Sequence, residues 1–112
     1  MAILNYSHPN KNNEPKLIID GKELVISHAN FSTNEEIKIE IGSDPRTLRG
    51  TTASNFIVNI REGEKAMVAF NRVSSFVAVL SESFELSSLS ITTYENMISV
   101  QFQSPDLVIE QI

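Results

Sequence analysis

The sequence predicts an all-β domain, either an antiparallel β-sandwich (jelly-roll or Ig-like) or a small barrel, with about eight to nine short strands. Two observations carry that prediction. From Lys16 onward apolar and polar residues alternate with period two nearly everywhere, and Gly, Asn, Asp and Pro break the alternation at short intervals. No stretch shows a convincing helical period of about ten residues, which removes the main competitor.

Taken in order, residues 1–15 read as a polar N-terminal arm. Ser7-His8-Pro9-Asn10-Lys11-Asn12-Asn13-Glu14-Pro15 is bounded by prolines that hold the preceding residues extended. A single β domain is expected over residues 16–112. Asp20-Gly21 marks a turn between Leu17-Ile18-Ile19 and Leu24-Val25-Ile26, with the register open. A four-residue loop there pairs apolar residues throughout. Ile37, Ile39 and Ile41 alternate with Glu36, Lys38 and Glu40, the signature of a strand with one dry and one wet face. Phe56, Val58 and Ile60 repeat that pattern. A turn centred on Gly63 predicts a hairpin in which they face Phe70, Val68 and Ala66. Phe76-Val77-Ala78-Val79-Leu80 is apolar on both faces, as a central strand is.

The sharpest register lies further on. With Glu95-Asn96 as a two-residue turn, Thr93, Ile91 and Leu89 face Ile98, Val100 and Phe102 on one side. The other side then receives Tyr94/Met97, Thr92/Ser99 and Ser90/Gln101, so one face is apolar and the other mostly polar. Phe102 is expected inside and Gln101 outside. Residues 107–112 form a last strand that ends on an apolar residue, with Glu110 its only charged side chain. A free strand of that kind is a template for a second chain, so this one is expected either inside its own sheet or paired across a subunit boundary.

Composition bounds the function. The 112 residues carry a net charge of −5, and all nine Lys and Arg fall within residues 1–72, leaving the C-terminal third purely acidic. An acidic chain lacks the footing for phosphate-backbone contacts, so nucleic acid is excluded as a partner. The chain has no cysteine, which removes thiolate catalysis and Cys-based metal sites. No apolar run approaches the ~18 residues of a membrane span, so no membrane insertion is expected, and without a signal peptide the expected location is cytoplasmic. On the same ground the glycosylation sequons at Asn5 and Asn30 are read as chance.

Candidate sites are few. Residues 42–55 form the longest break between strong strands. Ser43 or Asp44 suits a helix cap, Pro45 the first helical position and Gly50 the end. Arg46 and Arg49 then lie three apart on one face, and with Thr51 and Thr52 they make a candidate grip for a small anionic or sugar ligand. Pairing of the arginines with neighbouring carboxylates is the plainer account. His8 and His28 are the two histidines. With no metal-binding spacing and no nucleophile elbow, neither a metal site nor a cofactor is expected, and no catalytic residue is assigned. His28 is expected at a strand end. Eight serines between Ser74 and Ser99 are expected on a solvated sheet face. What remains is a non-enzymatic protein-interaction or assembly domain, such as an accessory, structural or inhibitor protein. It acts through its sheet surfaces and acidic C-terminal third, with a protein partner or self-association as a homo-oligomer. A ligand-binding β domain using the Arg46–Arg49 loop is the alternative, and an enzyme of unknown class the third.

Overall fold

Asp20 and Gly21 both adopt left-handed backbone angles, φ 49° and 79°. Two such residues in succession make the tight turn whose twist matches a hairpin. The turn joins β2 (Lys16–Ile19) to β3 (Lys22–Val25) with Ile19 opposite Lys22 and Leu17 opposite Leu24. The loop therefore has two residues, not four, and it places Ile18 opposite Glu23 instead of pairing apolar residues throughout. A computed structural model describes residues 3–7, 14–33, 38–40, 47–49 and 52–111. Among these are ten strands and one helix, so the molecule is mostly β but not all-β.

The strands form two five-stranded sheets. Besides β2 and β3, the first contains β1 (Leu4–Ser7), β6 (Thr47–Arg49) and β10 (Val108–Gln111), in the order β3-β2-β1-β10-β6. Strand β1 runs parallel to β10, and the other neighbours are antiparallel. The second sheet is antiparallel, with β4 (His28–Thr33), β5 (Lys38–Glu40), β7 (Thr52–Asn59), β8 (Ser88–Thr93) and β9 (Met97–Ser104) in the order β5-β4-β7-β9-β8. Neither sheet closes into a barrel.

Residues 66–83 correct the sequence reading. Instead of a strand facing Phe56–Ile60 and a central strand at residues 76–80, they form one helix, α1 (Ala66–Ser83). Its buried residues are Ala69, Val73, Phe76, Val77 and Leu80, spaced by three and four along a single stripe. The residues that imitated a strand face, Val68 and Phe70, are exposed at 49% and 39%. Phe56 and Val58 instead lie opposite Val100 and Ile98 of β9. The eight serines are consequently divided: Ser74, Ser75, Ser81 and Ser83 are on α1, and the others lie in or beside β8 and β9.

The N-terminal segment differs from expectation as well. Leu4 and Tyr6 are buried and β1 is paired on both sides, so the boundary expected at residue 16 fails for Leu4–Ser7. Residues 8–13 of the polar stretch lie outside the described residues. β10 is flanked by β1 and β6, so the last strand lies inside its own sheet, the first of the two placements expected for it. The hairpin β8–β9 has the expected register, from Thr93 opposite Ile98 to Leu89 opposite Phe102, with Phe102 buried and Gln101 exposed. One apolar core takes Leu4, Leu17 and Ile109 from the first sheet, Phe31, Phe56 and Phe102 from the second, and the stripe of α1.

Candidate functional site

Two features stand out above the core: a charged cleft beside α1 and the free edge of β8. The cleft lies between the β2–β3 hairpin and the helix, has a volume of about 570 Å³, and is lined by Lys22, Val25, Arg61, Val68, Arg72 and Ser75 among others. A smaller cleft of about 210 Å³ shares Val25, Arg61 and Arg72 and extends to Ser27 and Asn59. Its charges are largely engaged. Arg72 donates from Nη2 to Glu64 Oε1 at 2.8 Å and from Nε to Oε2 at 3.1 Å, the two-pronged geometry a guanidinium favours. That hydrogen-bonded guanidinium holds the Glu64 carboxyl below its ordinary 4.5, and the backbone N–H of Arg61 adds a further bond at 3.2 Å. Lys22 Nζ donates to Ser75 Oγ at 2.5 Å, tying the hairpin to the helix. The cleft is thus a seam laced by its own side chains, with exposed Arg61 at its rim.

The edge of β8 is different. Among the described residues four strands end the two sheets: β3 and β6 in the first, β5 and β8 in the second. The other three carry charge: Lys22 and Glu23 in the four-residue β3, Lys38 and Glu40 in β5, Arg49 in β6. Short length and charge are the usual devices that stop an edge from recruiting another strand. β8 has six residues, Ser-Leu-Ser-Ile-Thr-Thr, and no charge. It is also poorly covered: Leu89 is 43% exposed, Ile91 half-buried, and its other residues exposed.

Hydrogen bonding decides which groups of β8 face outward. The N–H of Tyr94 bonds to Met97 O at 2.8 Å, so even-numbered residues direct their main-chain groups toward β9. Leu89, Ile91 and Thr93 therefore direct theirs to the open side. At the other end, Ser87 N–H bonds to Gln103 O at 2.8 Å while Ser88 also lies opposite Gln103, a two-against-one bulge that limits the regular edge to residues 89–93.

Two of the four residues of the sequence-derived ligand site are described. Arg49 ends β6 in the first sheet and Thr52 opens β7 in the second, while Arg46 and Thr51 lie outside the described residues. Thr47–Arg49 is a strand paired with β10, which corrects the capped helical turn expected there. Leu48 opposite Ile109 completes the sheet beside β10, and this fixes the segment as extended. His28 opens β4, the strand end expected of it, and is exposed there, while His8 lies outside the described residues. Among the described residues no group of three His, Asp or Glu converges to hold a metal, and no helix is long and apolar enough to cross a membrane. The β8 residues were placed in a strand by the sequence but not at an edge. No known protein family, curated protein or solved structure matches this chain.

Proposed function

We propose that this chain is a non-enzymatic protein-interaction domain, built as a sandwich of its two sheets, that accepts an extended strand along the edge of β8. The observation that carries this is the contrast between edges: three carry charged side chains, and β8 runs six residues without a charge. Main-chain pairing supplies the affinity in such additions, and alternate side chains supply the selectivity. Leu89 and Ile91, on one face of the edge, fit a β-branched or aliphatic neighbour.

The test is capture from a lysate of the cells that express the chain, with wild type and Leu89→Pro/Thr93→Pro as tagged baits. Both prolines replace residues whose N–H points away from β9, so the hairpin keeps its own bonds. A bound protein lost with the double variant, at matched thermal stability of the baits, is the expected result. Equal capture of the same proteins by both baits overturns the proposal.

A further inference from the structure

We infer that the strand seated on β8 is β8 of a second copy, antiparallel and centred on Ile91. This rests on the edge-pairing role proposed above and names its occupant. A two-fold axis perpendicular to the sheet keeps each face on its own side, so facing residues must share parity. Centring on Ile91 sets Ile91 opposite Ile91 of the other copy, Leu89 opposite Thr93, and Ser90 opposite Thr92. All three residues with outward main-chain groups then find partners, each facing pair exchanging two hydrogen bonds. Shifting the centre to Ser90 brings the Ser87–Ser88 bulge into the ladder, and shifting it to Thr92 brings in Glu95. The Ile91-centred register excludes both.

Charge and exposure agree with this choice. In the Ile91-centred pairing Glu95 falls beside Ser87 of the other copy, so two chains of net charge −5 meet without acid facing acid. The exposed Leu89 side chain gains the Thr93 methyl as a cover. Each copy's β8 is consumed by the other, so assembly stops at two. A single pairing of five residues buries less than the ~1,600 Å² of a standard stable interface, so the dimer forms reversibly with concentration.

Sedimentation velocity of the intact chain from about 10 μM to about 1 mM, with the cysteine-free background as an advantage, tests this. The expected result is a shift from monomer to dimer mass that Leu89→Pro abolishes while its melting temperature stays that of a folded protein. Register is read by single cysteines under mild oxidation. Ile91→Cys sets two sulfurs on Cα atoms about 5.5 Å apart, within bridging distance, and gives a covalent dimer. Ser90→Cys sets its own copies more than about 7 Å apart and stays monomeric. If Ile91→Cys proves unstable, an equal mixture of Leu89→Cys and Thr93→Cys reads the same register through exposed positions. A wild type that stays monomeric at about 1 mM overturns the inference; proline-sensitive capture of a different protein then leaves the edge role standing. A dimer that survives Leu89→Pro, or that cross-links equally at residues 90 and 91, overturns it too.

Discussion

Phe102 shows how single side chains hold the two layers of structure together. Its ring meets Phe56 edge-on at 6.1 Å between centroids, and Phe56 in turn meets Phe76 of α1 at 6.2 Å. All three are essentially fully buried. Truncating Phe102 to alanine removes both the burial and one link of that chain, and is expected to cost about 3–5 kcal/mol in chemical denaturation. A polar pair acts at the surface end of the same helix. Glu64 keeps its proton only below the ordinary carboxylate range because Arg72 clasps both of its oxygens. Its stabilising effect is therefore complete above pH 4.5 and lost as pH falls through the lowered value. Denaturant midpoints of wild type and Glu64→Gln are expected to differ at neutral pH and to converge in acid. A difference that grows on acidification is the contrary outcome.

At the scale of elements, the strength of a sequence signal followed the number of constraints that agreed. For β8–β9, alternation, turn position and face polarity all pointed to one register, and the hairpin has it. For β2–β3, apolar pairing and turn chemistry disagreed, and the turn prevailed because Asp20 and Gly21 tolerate the left-handed angles of a two-residue loop. Replacing Gly21 by alanine adds a Cβ that meets nothing within 4 Å, so the expected loss of about 1–2 kcal/mol is purely conformational. Thermal melts of Gly21→Ala check it. Helix α1 escaped notice because Val73, Phe76, Val77 and Val79 favour strands and Ala66, Val68 and Phe70 imitate one. The stripe Ala69-Val73-Phe76-Val77-Leu80 was present in the sequence, and burial against both sheets outweighs local preference. Of the candidate site, strand identity was readable at β8, but its place at an edge was not. Edge position follows from which strands pair, and long-range pairing leaves no mark in a neutral run of six residues.

For the molecule as a whole, the first and last described strands lie side by side, Leu4 opposite Ile109, inside one sheet. Removing everything after Ser104 takes β10 away, leaves β1 with β2 alone among the described strands and deprives β6 of the neighbour it pairs with. The truncated chain is therefore expected to lose the cooperative transition seen by far-UV circular dichroism, and not to persist as a folded monomer. A sharp melt in the truncated chain would sink that account. The same adjacency sets an order of events on the ribosome. The β2–β3 hairpin is complete well before β10 is synthesised, and β1 can join it at once. Half of that sheet nevertheless waits for codons about a hundred positions downstream, with Leu4, Leu17 and the face of α1 uncovered meanwhile. Those apolar side chains are therefore open to holdase chaperones for at least as long as the intervening residues take to be synthesised.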